Sequence, residues 1–118
     1  MSSTAPHRIL VVDDDRELGN AIARDLEDRG FRVLLARDGL EAWQLLRHGA
    51  QRIDAVVTDI GMPILDGLGL AEHIRGMPNP PPVIFISGRE QPPYIPAQPF
   101  LLKPVDPDEL ATLLRQLL

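Results

Sequence analysis

Short apolar runs alternating with amphipathic stretches predict an α/β fold, a parallel sheet covered by helices on both faces. Three observations carry this prediction: five apolar runs of strand length, helical periodicity between most of them, and short connections. A parallel crossover must leave the sheet and return right-handed, so the helices divide between the two faces.

Arg8 to Val12 is the first strand and ends at Asp13-Asp14-Asp15. From Arg16 to Arg29, Leu18, Ile22 and Leu26 recur at helical spacing, with Asp15 as N-cap and Gly30 as the stop. Phe31 to Ala36 is a second strand. Gly39 to His48 is a second helix capped by Asp38 and closed by Gly49, with Leu40, Trp43, Leu46, Ala42 and Leu45 facing inward. Ile53 to Thr58 is the third strand, and about Leu65 to Arg75 the third helix, with Leu68, Ala71 and Ile74 inward. Pro82 to Ser87 and Phe100 to Lys103 complete the strands. Asp108 to Leu118 is a last helix with Leu110, Leu113, Leu114 and Leu117 along one side. Trp43 reads as packing, and His48 and His73 as solvated helix residues without a partner at metal-ligand spacing. No internal repeat is present.

Composition narrows the function classes. A chain of 118 residues with 44% hydrophobic and 25% charged residues fits one soluble domain, and a formal charge of −5 without a basic tract argues against direct binding of nucleic acid. The same charge disfavours an anionic membrane, and no apolar run is long enough to span one. The absence of cysteine removes disulfides, thiolate metal sites and cysteine nucleophiles, and a cytoplasmic location is expected. Residues 1–7 form a short, polar, flexible lead-in with neither signal-peptide nor anchor character. Eleven of the twelve basic residues are arginine, the exception being Lys103, and nine of the twelve prolines lie between Met77 and Val105.

In a parallel sheet the strand C-termini gather on one edge, where open α/β folds bind their ligands. That edge receives Asp13, Asp14, Asp59, Ser87 and Lys103. Taken singly each has a bland explanation: a strand-ending Asp59 that caps a turn, acids suited to a helix N-terminus, a turn hydroxyl, a solvated lysine. Jointly they describe a site. Three carboxylates within a few ångströms cannot all be ionised cheaply unless a cation joins them. An all-oxygen set suits a hard divalent ion, Mg²⁺ or Mn²⁺, that keeps open positions for a phosphate oxygen. A carboxylate beside it can attack phosphorus to give an acyl phosphate, with Lys103 as counter-charge and Ser87 as hydroxyl donor.

V-V-D-D-D after the first strand, T-D-I-G-M-P-I-L-D-G after the third, I-S-G after the fourth and F-L-L-K-P at the fifth resemble the receiver domain of two-component response regulators. The resemblance covers about Arg8 to Leu118 and implies a CheY-like (flavodoxin-like) doubly wound sheet of five parallel strands, order 2-1-3-4-5. It makes residues 1–118 a single receiver domain with no effector domain in these residues. It also implies that Asp59 is the phosphoryl acceptor, and that Asp13, Asp14, Asp59 and the backbone carbonyl of Gly61 hold the metal. Lys103 then contacts the phosphoryl group, Ser87 is the switch hydroxyl, Phe100 the switch aromatic, and the Lys103-Pro104 bond is cis. The implied partners are a sensor histidine kinase or histidine phosphotransfer protein and a downstream protein, with a homodimer compatible. Gly61 and Arg89 fall where the family tunes phosphoryl lifetime. Such a domain is a signalling switch rather than an enzyme.

One stretch departs from the family pattern. Between Ser87 and Lys103 the chain is short and carries Pro92, Pro93, Pro96 and Pro99, which disfavour helix at and before each proline. The fourth helix of the family is therefore expected to be absent or reduced to a turn, with Tyr94 and Ile95 in an extended strap over the sheet. Two other functions deserve comparison. A haloacid-dehalogenase-type phosphatase requires D-x-D-x-[TV] after its first strand, and Asp13-Asp14-Asp15-Arg16-Glu17 fails its last place. A phosphorylation-independent docking module of receiver fold usually lacks an acid or the lysine, and here the set is complete.

Overall fold

The computed structural model describes residues 6–49, 51–88 and 99–118. Five strands, β1 (Arg8–Val12), β2 (Arg32–Ala36), β3 (Ala55–Asp59), β4 (Val83–Ser87) and β5 (Phe100–Leu102), form one parallel sheet in the order β2-β1-β3-β4-β5. Four helices accompany them among the described residues: α1 (Arg16–Asp28), α2 (Gly39–His48), α3 (Gly67–Arg75) and α4 (Pro107–Leu117). The expected fold class and strand order are those observed. The expected loss of the family's fourth helix and the strap of Tyr94 and Ile95 lie outside the described residues.

The central strands carry unbroken apolar runs, Ile9 to Val12, Ala55 to Val57 and Val83 to Ile86, because both their faces are covered. Alternation along them divides the core in two. Ile9, Val11, Ala55, Val57, Ile84 and Ile86 pack with Ile22 and Leu26 of α1 and Leu110, Ala111 and Leu114 of α4. Leu10, Val12, Val56, Val83 and Phe85 pack with Ala42 of α2 and Leu70, Ala71 and Ile74 of α3. Edge strand β2 is as apolar in sequence but half-exposed, as a strand with one neighbour permits.

Every helix opens on an aspartate whose carboxylate accepts backbone N–H groups that have no partner inside the helix. Asp15 and Asp38 do so as expected, from Leu18 and Glu41. The last two starts differ from expectation by one or two residues: Asp66 caps α3 and Asp106 caps α4, followed by Pro107 at a position where a missing N–H costs nothing.

The expected helix faces need correction in places. Leu40 is 43% exposed, while Gly39 and Ala42 are the buried positions of α2. The Gly39 N–H donates to Leu65 O (3.1 Å), and a Cβ at residue 39 would collide with that carbonyl. Pressing Gly39 against the loop turns the next residue, Leu40, outward. On α3, Leu70 is fully buried and Leu68 only partly. Leu113 is partly buried, and Leu117 is 36% exposed where the last turn of α4 reaches the sheet's N-terminal edge beside His7 and Ile53.

Candidate functional site

Alternation explains which side chains meet at the C-terminal edge. Asp13, Asp59 and Lys103 continue by one alternation step the rows of Val11, Val57 and Leu101, all in the core layer shared with α1 and α4. Their heads therefore converge on one side of the sheet. Lys103 Nζ donates to Asp13 Oδ2 at 3.1 Å and to Asp59 Oδ2 at 3.3 Å. Carboxylate oxygens of Asp13, Asp14 and Asp59 lie within 4.8 Å of one another. Asp13 and Asp59 are buried, whereas Asp14 is exposed at the mouth.

Backbone hydrogen bonds fix the carboxylates. Asp15 N–H donates to Asp13 Oδ1 (2.9 Å), so one oxygen of Asp13 is held by the start of α1 and the other by Lys103. Asp59 stands at the end of β3, whose chain continues with Ile60 N–H donating to Ile86 O. Gly67 N–H returns to Ile60 O at 2.9 Å and closes the loop 60–67. Gly67 also packs directly on the carbonyl of Asp59, where a Cβ would collide with backbone. The buried Thr58 hydroxyl donates to that same carbonyl at 2.9 Å. Gly67 and Thr58 thus support the end of β3 at Asp59, and both belong to the T-D-…-D-G segment, although their role is a matter of contact that residue type alone does not reveal.

Electrostatics follow from burial. Burial raises the Asp13 carboxyl above its ordinary range, and the hydrogen bonds from Asp15 and Lys103 oppose this without cancelling it. Burial lowers the ammonium of Lys103, but the hydrogen bond and charge of Asp13, then those of Asp59, outweigh it and hold Lys103 above the ordinary lysine value. Three acids face one lysine, so the pocket keeps an excess of negative charge that one divalent cation would balance. The carboxylate spacing and all-oxygen donors fit such an ion.

The other expected residues occupy the same edge or its approach. Ser87 follows Ile86, the ladder partner of Asp59, is 9% exposed, and its carbonyl accepts from Lys103 N–H at 2.8 Å. Phe100 begins β5 opposite Phe85 and packs half-buried against the layer of α2 and α3, two ladder steps from Ser87. Gly61 is exposed on the loop two residues after Asp59. The Lys103–Pro104 bond is cis. Arg89 lies outside the described residues. Trp43 is half-buried, with the His73 ring edge-on at 5.1 Å and Arg47 at 5.6 Å, which accounts for it as packing.

A five-stranded parallel sheet of this order with an acid pocket and lysine at its C-terminal edge defines a class, and the chain belongs to it: residues 9–115 match the response regulator receiver domain family. Its members serve two-component signal transduction. Among individual proteins, the chain is similar to the response regulator MprA of Mycobacterium sp. strain KMS, 42% identical over 85 residues, which are 72% of this chain and 36% of that protein. MprA of Mycobacterium tuberculosis strain H37Rv is 41% identical over 83 residues, 70% of this chain and 35% of that protein. The chain thus spans about a third of the length of these relatives. Among solved structures, the receiver domain of the hybrid histidine kinase CckA matches with a TM-score of 0.79 and 39% identity, covering 92% of this chain and 96% of that one. A response regulator receiver protein of Pseudomonas putida matches with a TM-score of 0.85 and 30% identity, covering 97% and 99%.

Proposed function

We propose that this receiver domain is switched by phosphorylation of Asp59, with Asp13, Asp14, Asp59 and the Gly61 carbonyl as ligands of Mg²⁺ or Mn²⁺. The observation that carries this reading is Lys103 bridging Asp13 and Asp59 beside a third carboxylate at the C-terminal edge of the sheet. When bound, the divalent ion supplies charge neutralisation between the carboxylates and the phosphoryl oxygens. Asp59 Oδ attacks the phosphorus of a phosphohistidine; the P–N bond breaks, its electron pair stays on the imidazole nitrogen, and an acyl phosphate forms. Asp13, fixed by Asp15 N–H and Lys103, is held in place beside Asp59 as a ligand for the ion. Lys103 shifts from bridging two carboxylates to pairing with the phosphoryl oxygens. Ser87 donates its hydroxyl to one of them, and Phe100 moves into the space this vacates, so that the β4–β5 surface reports the chemistry.

The donor is a sensor histidine kinase or histidine phosphotransfer protein, and the output is binding of a downstream protein, without direct contact to nucleic acid or membrane. Residues 1–118 act as one receiver unit in the cytoplasm, and no helix among the described residues is long and apolar enough to cross a membrane. The domain contributes groups to its own phosphorylation and hydrolysis and turns over no outside substrate. Intact mass after incubation with Mg²⁺ and acetyl phosphate tests the reading. One acid-labile phosphoryl adduct is expected on the wild type and none on Asp59→Asn or without metal; no adduct on the wild type would overturn it in favour of a docking module.

A further inference from the structure

Four of the twelve prolines, Pro78, Pro80, Pro81 and Pro82, stand within five residues between α3 and β4, and the phosphoryl chemistry uses none of them. One proline suffices to stop a helix, whereas three in a row also remove three backbone donors. The segment is fastened at both ends. Met77 N–H donates to Ile74 O at the close of α3, and Pro82 O accepts from Val56 N–H, each at 2.9 Å. Between these points Pro78, Asn79 and Pro80 are exposed, and Pro81 and Pro82 half-buried. Pro80 and Pro81 each precede a proline, which holds them in extended, polyproline-like backbone. No described backbone N–H donates to the carbonyls of residues 78–81.

The three consecutive rings line two hollows at once. One, of about 760 Å³, they share with Ile53, Leu117, Arg52 and Asp54; the other, of about 140 Å³, with Ala71, Ile74 and Arg75. Pro80 to Pro82 thus form a ridge with a hollow on either flank. Charge marks the same edge of the sheet, where strands start and helices end. Arg8 and Arg32 open β1 and β2, Arg52 stands before β3, and Arg47, Arg75 and Arg115 lie in the last turns of helices. Beside the ridge, the side chains of Arg52 and Arg75 remain 89% and 58% exposed although each touches one carboxylate.

Proline rings, open carbonyls and neighbouring arginines specify the chemistry of what receives them: aromatic rings to stack against the ridge, N–H or O–H donors for the carbonyls, and carboxylates for the arginines. A ligand whose backbone is already set and whose side chains are ring-locked loses little freedom on binding. We propose that Pro78 to Pro82 is a docking ligand for a partner protein with an aromatic-lined, acid-rimmed groove. The ridge enters β4 at its start, whereas Ser87 and the acid pocket lie at its end. Docking there leaves the pocket open, so it tethers the domain whether or not Asp59 carries a phosphoryl group, and it does not rest on the reading of Asp59 as acceptor.

The test places the photo-cross-linker p-benzoylphenylalanine at Gln51, exposed beside Arg52, in the full chain expressed from its own locus. Irradiation of growing cells is expected to give one protein adduct whose cross-linked segment carries at least two aromatic residues and an excess of carboxylates. Its yield is expected to fall at least about tenfold with Pro80→Ala plus Pro81→Ala, to fall at least about threefold with Arg52→Glu plus Arg75→Glu, and to stay within about twofold with Asp59→Asn. Thermal midpoints of the purified variants separate lost docking from lost folding, and the arginine pair, exposed on the surface, keeps the test open where the proline pair fails to fold. An absent adduct overturns the proposal, as does a second copy of this chain as the adduct, a captured segment without aromatic residues, or an unchanged yield in a folded proline variant. Loss of the adduct with Asp59→Asn overturns it too, because the partner would then read the switch rather than the ridge.

Discussion

Lys103 is the residue on which the pocket depends, because it is the cation that the structure places against two buried carboxylates. Removing one member of a buried ion pair leaves uncompensated charge behind, so Lys103→Met is expected to destabilise the fold at neutral pH, by about 3 kcal/mol or more. The pH dependence has a definite sign. Lys103 is held above its ordinary value of 10.5, so its contribution is fully present below pH 10.5 and is lost as pH rises through the higher folded value. The stability gap between wild type and Lys103→Met should therefore narrow in chemical unfolding at pH 11 relative to pH 8. A constant gap would mean that the lysine acts through packing. Asp13 runs the other way: its raised carboxyl stabilises below the ordinary 3.8 and loses that contribution as pH rises through its folded value. At neutral pH the buried Asp13 carboxylate is therefore a cost to the fold, which its pairing with Lys103 opposes. Sequence reasoning named Asp13, Asp14, Asp59, Ser87 and Lys103 because each ends a strand or follows one. It did not separate the buried, lysine-bound Asp13 from the exposed Asp14, since adjacent residues of one acidic run differ only in which way the backbone turns them.

At the scale of elements, the junction from β3 into α3 sets the position of Asp59. Gly67 opens α3 flat against the Asp59 carbonyl, and its N–H closes the loop on Ile60. Gly67→Ala must push the helix start away from the strand end. It is expected to cost about 1–3 kcal/mol, read as a lowered denaturation midpoint, and to slow phosphoramidate labelling of Asp59 in the protein that remains folded. An unchanged midpoint would show that the junction yields freely. The helices were legible from capping aspartates and periodicity, but their rotation was not. Gly39 and Gly67 decide how closely α2 and α3 approach the loop, and that contact turned Leu40 out and made Leu70 rather than Leu68 the buried leucine of α3. Periodicity defines an apolar stripe. Which edge of the stripe touches the sheet depends on small residues that permit approach.

At the scale of the whole molecule, metal and fold are linked, because an ion that binds only the folded acid pocket must stabilise it. Mg²⁺ at about a hundred times its dissociation constant is expected to add about 2.7 kcal/mol and to raise the thermal midpoint. Chelation should reverse the shift, and Asp14→Asn combined with Asp59→Asn should abolish it; an equal shift in that variant would place the ion elsewhere. The sequence by itself determined the parallel α/β class, the four described helices and the residues that arrive at the C-terminal edge. These follow from local patterning: burial on one or two faces dictates the period, and the period dictates direction. Only tertiary structure decided that Lys103, 90 residues from Asp13 in the chain, bridges it to Asp59, that Gly39 clasps Leu65, and that Ile64 is held outward in a strained turn. Those depend on contacts between segments distant in sequence, whose distances are set by how closely neighbouring elements pack and by no period within either one.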